Sequence, residues 1–361
     1  MNQLFKKLEV IDVEKLTDNS VILEFFISNV MKKKFNYFPG QFVTLEIDIE
    51  GKNYYRTYSI CSQKHESNIK IAVKRVVGGL ISNWINEKVK IGDHIKVSMP
   101  AGDFVAKKNY SIQKKYLYFA GGSGITPIFS LIGSKLNSEP NSIHYLVFCN
   151  TTQSQVMFKS QLLDLKNKFI SRLVIFFIFS EENNEFDIQN GFISKNKIQL
   201  IFSSSINNVD LDKIFLCGPV GMQSIVLDCL KQLKINKSKI KTESFKSENN
   251  LKTKKIVTDE KSIDANPKDF KMIVKVNGVK TLVNYQNNEV SLLKALLKNK
   301  LNIPYSCTNG ICGICRAKLL EGQVEMKSNK ALDKSDLRRN FILTCQSHQQ
   351  TNQISLTFDE R

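Results

Sequence analysis

The chain has 361 residues, enough for two or three domains that each bury a core. Its 52 Lys and Arg against 34 Asp and Glu leave a formal charge of +18, which would suit a nucleic acid, but the lysines are spread among Asn and Ile instead of forming a stripe, so no nucleic-acid partner is expected. No apolar run approaches the roughly 18 residues of a membrane helix, Met1 to Lys15 lacks the pattern of a signal peptide, and Cys61, Cys149, Cys217 and Cys229 are scattered, so the expectation is a cytoplasmic monomer with reduced thiols.

Residues 1–109 carry strand signals: Val21 to Ser28, Gln41 to Ile49, Tyr54 to Cys61, Ile69 to Val76 and His94 to Met99 are rich in β-branched and aromatic residues. Pro39-Gly40, Glu50-Gly51 and Gly92-Asp93 punctuate them as turns, and one helix is expected from Leu80 to Val89. A small antiparallel β-barrel is the economical fold. On one of its strands lies Arg56-Thr57-Tyr58-Ser59, where alternation puts Arg56 and Tyr58 on one face, a cation for a diphosphate beside a ring for stacking. Val73 and Lys74 follow, then Gly78-Gly79-Leu80-Ile81-Ser82-Asn83-Trp84, in which backbone N–H groups and the Ser82 hydroxyl are expected to face an anion at a helix start. Taken singly these pieces are weak, since an R-x-Y-S run occurs by chance and Gly-Gly before a helix is usually only a turn.

From residue 110 to 245 the pattern becomes a doubly wound α/β nucleotide-binding sheet. Buried strands are expected at Tyr116 to Ala120, Ile143 to Cys149, Leu173 to Ser180 and Lys213 to Cys217, with helices near Pro127 to Leu136, Val156 to Lys166 and Gly221 to Lys234. The first strand runs into Gly121-Gly122-Ser123-Gly124-Ile125-Thr126-Pro127, a glycine-rich loop opening a helix where a pyrophosphate can bind. Cys217-Gly218-Pro219 ends the last apolar strand, Met222 lies one turn further on, and Glu243-Ser244-Phe245 closes the domain. Without its neighbours, Cys217 would read as a buried structural thiol.

Residues 246–268 are polar and aperiodic, and a flexible linker is expected there. Residues 269–361 open with a hairpin turning at Asn277-Gly278, followed by a helix with Leu292, Leu293, Leu296, Leu297 and Leu301 on one face. Next comes Cys307-Thr308-Asn309-Gly310-Ile311-Cys312-Gly313-Ile314-Cys315, with a fourth cysteine at Cys345. C-x4-C-x2-C with a distant fourth thiolate is the spacing that holds a 2Fe-2S cluster in plant-type ferredoxins. Zinc is the competing occupant of four cysteines, but zinc sites more often come as two C-x2-C pairs.

Together with Pro39-Gly40-Gln41-Phe42 and Pro100-Ala101-Gly102-Asp103-Phe104, these motifs resemble the ferredoxin-NADP reductase superfamily, with a C-terminal ferredoxin domain of α+β, β-grasp fold, as in phenylacetyl-CoA oxygenase and ketosteroid hydroxylase reductases. The resemblance implies an NAD(P)H-dependent reductase holding FAD and a 2Fe-2S cluster, which hands electrons to a redox protein such as an oxygenase, a hydroxylase or a ferredoxin. It also implies that Cys217 packs beside the nicotinamide, that Ser59 contacts the flavin near N5, and that Glu243 lies close by. Family members often carry an arginine after the strand ending at Cys149 for the 2′-phosphate of NADP, whereas here the segment reads Asn150-Thr151-Thr152-Gln153-Ser154-Gln155. NADH is therefore favoured over NADPH, with Ser154 or Lys159 as possible substitutes for that cation. Two alternatives are a cluster-bearing redox sensor without turnover and a reductase serving a separate ferredoxin.

Overall fold

The computed structural model describes residues 5–106, 114–206, 211–245, 269–286 and 291–360. The expected boundary at 109/110 and the expected linker at 246–268 lie outside them. By internal contacts the described chain divides into two compact units, one of Lys6–Val43 and Tyr58–Phe245, the other taking in Thr44–Thr57 and the residues from 269 onward.

The amino-terminal strands are β1 (Phe5–Thr17), β2 (Ser20–Phe25), β3 (Phe42–Ile49), β4 (Lys52–Ser59), β5 (Ile69–Lys74) and β6 (His94–Ser98), with α1 (Leu80–Lys88) before β6. Strands β6, β1, β2 and β5 lie side by side in that order, and the β1–β2 and β2–β5 pairs are antiparallel. The sequence reading did not anticipate β1: its charged residues interrupt the apolar pattern, and its inward side chains Leu8 and Val10 are few. Strands β3 and β4 turn at Glu50-Gly51, both with positive φ, as a tight hairpin requires.

The α/β part is a five-stranded parallel sheet ordered β11-β10-β7-β8-β9. It comprises β7 (Lys115–Gly121), α2 (Ile125–Ser138), β8 (Ile143–Asn150), α3 (Lys159–Lys168), β9 (Leu173–Phe179), α4 (Lys195–Ile201), β10 (Lys213–Cys217), α5 (Val220–Gln232) and β11 (Ile240–Glu243). Helices α2 and α3 cover one face through Ile128, Ile132, Leu162 and Leu165; α4 and α5 cover the other through Ile198, Val226 and Leu230. The strand order reverses between β7 and β10, where open α/β sheets take their ligands.

At the amino-terminal edge of this sheet a buried polar network is fully bonded. Tyr116 Oη donates to Glu139 Oε2 at 2.9 Å, Lys135 Nζ bonds Glu139 Oε1 at 2.6 Å, and Arg172 donates to the Glu139 and Leu136 carbonyls at 2.9 and 2.8 Å. His144 is wholly enclosed between Tyr118 Oη at 3.1 Å and Ser142 Oγ at 2.8 Å. Burial first, then the charges of Lys135 and Arg172, hold it well below the ordinary histidine range, so it stays neutral.

The antiparallel and parallel sheets share one core, in which Ile22, Cys61, Ala72 and Phe104 pack with Ile128, Phe129 and Leu131. Polar bonds cross the same boundary, with Ser130 Oγ donating to the Ser62 carbonyl at 2.6 Å and the Lys64 N–H to Ser134 Oγ at 2.8 Å. Residues on β4 and β10 in this unit are thus held in fixed register.

The carboxyl-terminal part has β12 (Asp269–Val276), β13 (Val279–Gln286), α6 (Leu292–Lys298), β14 (Arg316–Glu321), β15 (Val324–Met326), α7 (Lys334–Arg338), β16 (Phe341–Leu343), β17 (Ser347–Gln349) and β18 (Gln353–Thr357). A mixed sheet ordered β13-β12-β18-β14-β16 packs on the Leu292, Leu293 and Leu296 face of α6, the β-grasp arrangement. Leu301 falls beyond the helix but still packs on the same core. Strand β18, unforeseen in sequence, pairs parallel to β12 and makes the sheet mixed.

Candidate functional site

Register brings the first set of residues together. Cys217 ends β10 opposite Ala120 of β7 on one side and Glu243 of β11 on the other. Ser59, at the end of β4, reaches the same point, its Oγ donating to Glu243 Oε2 at 3.5 Å. All three expected catalytic residues therefore converge. Burial raises the Glu243 carboxyl to about 8, the Ser59 hydroxyl partly offsets this, and Asp103 adds to it. Burial, then Glu243, pushes the Cys217 thiol well above its usual value. At neutral pH both groups keep their protons, and the corner is polar but uncharged.

The glycine-rich loop abuts that corner. A Cβ on Gly124 would fall 2.2 Å from the Cys217 carbonyl oxygen, so only glycine lets the β7 and β10 loops approach this closely. Thr126 is buried and its Oγ1 donates to the Ser123 carbonyl at 3.0 Å, which sets the turn. Gly124 caps α2 without a side-chain bond; the Ile125 N–H turns back to the Gly122 and Ser123 carbonyls and Pro127 has none, so what this 14-residue helix offers an outside anion is the positive end of its dipole. Gly122 stands in open space, Pro219 caps α5, and the Met222 sulfur lies against Gly121.

Gln223 was not singled out in the sequence. Its Nε2 bonds the Gly218 carbonyl at 2.8 Å, the Glu243 carbonyl at 2.9 Å and Ser244 Oγ at 2.9 Å, tying the loop after β10 to the segment after β11. A buried amide on an apolar helix was the available sign.

The expected flavin contacts are distributed less simply. Arg56, Thr57 and Tyr58 are half-buried on β4, and Arg56 Nη1 donates to the Tyr55 carbonyl at 2.8 Å. Val73 and Ile81 bury their side chains in the core, so only their backbone could serve a ligand. Lys74 Nζ donates to Gln155 Oε1 at 3.2 Å, and burial lowers its pKa. Ser82 departs from expectation, because its Oγ turns inward and accepts the Val76 N–H at 3.0 Å. It closes the loop that presents Gly78, Gly79 and half-exposed Leu80, and a Cβ on Gly78 would meet nothing within 4 Å, so an anion could approach the bare backbone there.

The four cysteines of the last part converge as two pairs. The Cys307 and Cys312 thiols lie close enough to perturb each other, as do those of Cys315 and Cys345. Cys307 is pulled down to about 6, first by the Cys312 thiol and then by the N–H groups of Asn309, Ile311 and Cys312 turned toward it, an arrangement that favours thiolate. Thr344 holds Cys345 beside Cys315 by donating N–H and Oγ1 to the Cys315 carbonyl at 3.1 and 3.0 Å. Gly310, at φ 74°, is required because a Cβ would lie 2.8 Å from Gln346 Cγ. Among the described residues no three ligating side chains close on a single ion point. The four thiols around this glycine-wound loop would hold a 2Fe-2S cluster, whose cysteine spacing they match and which would supply one-electron transfer.

Comparison with known proteins follows this division. Residues 7–106 match the oxidoreductase FAD-binding domain, 119–228 the oxidoreductase NAD-binding domain, and 274–349 the 2Fe-2S iron-sulfur cluster binding domain. The chain is 31% identical over 357 residues to one of the subunits of 1,2-phenylacetyl-CoA epoxidase of Escherichia coli (strain K12), covering 99% of this chain and 98% of that protein. It is 28% identical over 362 residues to the ferredoxin reductase component of 3-ketosteroid-9-alpha-monooxygenase of Mycobacterium tuberculosis (strain ATCC 25618 / H37Rv), covering 98% and 96%. Among solved structures, phthalate dioxygenase reductase shares the fold with a TM-score of 0.58 at 20% identity, covering 98% of both chains.

Proposed function

We propose that this chain, which belongs to the family of NAD(P)H-dependent reductases with FAD-binding, NAD-binding and C-terminal 2Fe-2S domains, delivers electrons to the oxygenase component of a multicomponent oxygenase. It is an oxidoreductase that holds FAD and a 2Fe-2S cluster and takes a nicotinamide nucleotide as donor. Bound FAD converts a two-electron donation into single electrons, and the cluster relays them.

The chain's own residues bind, orient and exclude. Cys217 gives the nicotinamide an uncharged, close-packed wall, and Ser59 offers a hydroxyl at the same point. Glu243, pushed up to about 8, holds a proton there without placing a charge beside the reacting rings. The loop of Gly78 and Gly79 offers its backbone to the flavin diphosphate, Tyr58 lends a flat face, and Val73, Lys74, Leu80 and Ile81 line the remainder through backbone or side chain; Arg56 and Thr57, on their own part of β4, carry the guanidinium and hydroxyl that the resemblance gives to flavin binding. Gly121 to Gly124 and the start of α2, with Thr126 and Pro127, take the nucleotide pyrophosphate, while Gly218, Pro219 and Met222 close over it. Cys307, Cys312, Cys315 and Cys345 hold the cluster.

The single observation that carries the acceptor is end-to-end likeness to a component of an epoxidase, at 31% identity over 99% of this chain. A cluster domain in the same chain also removes the need for a separate ferredoxin. No helix among the described residues is long and apolar enough to cross a membrane. We place the work in a reducing cytoplasm, supported by the unpaired thiols of Cys61, Cys149, Cys217 and Cys229, and a monomer suffices because all three sites lie in one chain. The test is stopped-flow NAD(P)H oxidation with a small one-electron acceptor, then with the purified oxygenase component of a multicomponent oxygenase from the same organism. Failure of that oxygenase to accelerate turnover while the small acceptor does so would refute the choice of partner but leave the reductase activity standing.

A further inference from the structure

The four cysteines of the carboxyl-terminal part are not equally covered. Cys315 and Cys345 are buried, whereas Cys307 and Cys312 keep part of their surface in solvent, and the loop between them exposes Asn309 and half-exposes Thr308 and Ile311. A redox partner comes nearest the cluster site on that side. The segment from Lys327 to Arg339 borders it and is tied to the cysteines at three places. The Lys327 N–H donates to the carbonyl of Gln346, next to Cys345, at 3.0 Å, and the Ala331 N–H donates to the carbonyl of Gly310, inside the loop, at 3.1 Å. Arg316, the residue after Cys315, donates through Nη1 to Asp336 Oδ1 of α7 at 2.9 Å. The charge of this rim is one-sided. Lys327, Lys330, Lys334, Arg338 and Arg339 are all exposed, while the two acids of the segment serve the fold: Asp333 caps α7 by accepting the Asp336 N–H at 2.7 Å, and Asp336 holds Arg316. Glu325, two residues before the segment, accepts Gln350 Nε2 at 3.2 Å. With Arg316 included, six cations stand against these three carboxylates, so the rim is positive. Arg339 is also fixed in place, its guanidinium 5.1 Å from the Phe341 ring centre.

We propose that this basic rim is where the oxygenase component docks, and that it recognises that partner by an acidic face. The proposal rests on the reductase reading above and deepens it by stating what the partner must present. Opposite charges across an interface steer encounter, raising association from about 10⁵–10⁶ to as much as about 10⁸–10⁹ M⁻¹s⁻¹ at low salt, and like charges suppress wrong partners. The formal charge of +18 on the whole chain adds to the same field. A small uncharged oxidant does not feel it, so charge at the rim separates protein acceptors from small ones.

The test gives the full-length protein an acidic acceptor, cytochrome b5, a basic one, cytochrome c, and a neutral quinone. Equilibrium binding of each cytochrome is read beside the stopped-flow rate of its reduction with NAD(P)H as donor. The wild type is expected to bind cytochrome b5 roughly tenfold more tightly than cytochrome c at about 0.1 M salt and to lose that preference at about 1 M, as the screening length falls from about 10 Å to about 3 Å. The purified oxygenase component should follow cytochrome b5. The double variant Lys327→Glu/Lys334→Glu should lower the cytochrome b5 association rate by roughly tenfold and leave quinone reduction unchanged. Its fold is not at stake, because an anion in the first turn of α7 suits the helix dipole. An oxygenase component or a wild type that follows cytochrome c, or a double variant that binds and reduces cytochrome b5 as the wild type does, overturns the docking surface. A parallel tenfold loss of affinity for a DNA duplex in the variant also overturns it, by making the rim a general polyanion site. Failure of quinone reduction with charge-dependent binding intact would sink the reductase reading and leave the surface standing.

Discussion

Glu243→Gln separates charge from shape at the corner where Ser59, Cys217 and Glu243 meet. The Glu243 carboxyl, ordinarily near 4.5, is raised to about 8 by burial. The folded chain therefore binds a proton that the unfolded chain has released between those two values, so stability falls as pH rises across that window. At about 1.36 kcal/mol per pH unit, the charge penalty accumulated by pH 7 has an upper bound on the order of 3 kcal/mol. Glutamine carries no such penalty. Thermal unfolding of the wild type and Glu243→Gln from pH 5 to 9, compared as a difference so that other titrating groups cancel, should show the variant gaining a few degrees relative to wild type as pH rises. Ser59→Ala should push the carboxyl higher still, because the hydroxyl favours the ionised form. Parallel pH profiles for wild type and Glu243→Gln would refute the reasoning, since they would mean that the carboxyl ionises as it does in water.

Cys312→Ser should abolish the visible absorbance of the cluster and the electron flow to a protein acceptor, while stopped-flow flavin reduction by NAD(P)H persists; coupled loss of both would contradict separate binding domains. Cys217→Ala is expected to slow flavin reduction at saturating nucleotide by roughly 10- to 100-fold, about 1.4 to 2.7 kcal/mol of barrier, and an unchanged rate would reduce Cys217 to a packing residue. Arg56→Ala should weaken FAD retention by roughly 1.5 to 3 kcal/mol, read by flavin release on dilution. Gly124→Ala should lower both nucleotide affinity and stability by about 1 to 3 kcal/mol, since its Cβ would strike the Cys217 carbonyl oxygen; wild-type binding would mean that the loop yields freely.

What the sequence disclosed was whatever is encoded by local pattern. Strand β10 could be bounded at Lys213 and Cys217 because an unbroken apolar run after Lys213 ends at a glycine-proline turn, and the cluster loop could be recognised because metal geometry leaves little freedom in cysteine spacing. Strands β1, β11 and β18 were missed because much of each is polar and partner strands decide their pairing. Ser82 was assigned an outward role that its own loop takes up through the Val76 N–H, a choice between intramolecular and ligand bonding that spacing cannot express. Gln223 was beyond the same limit, since what distinguishes it is its set of hydrogen-bond partners in three dimensions.

The bonded network under the parallel sheet also divides the domain by rate of opening. Glu139 is gripped by Tyr116, Lys135 and Arg172, so detaching any one strand end there would strand a buried charge or hydroxyl, and the whole edge must open together. At the opposite edge the strands end in loops, and a Cβ on Gly122 there would meet nothing within 4 Å. Amide hydrogens of Leu117, Leu146 and Phe215, fully buried in β7, β8 and β10, should therefore be among the last to exchange with solvent, while that of Gly122 goes early. Ligand exchange can then be fast on a platform that itself almost never unfolds.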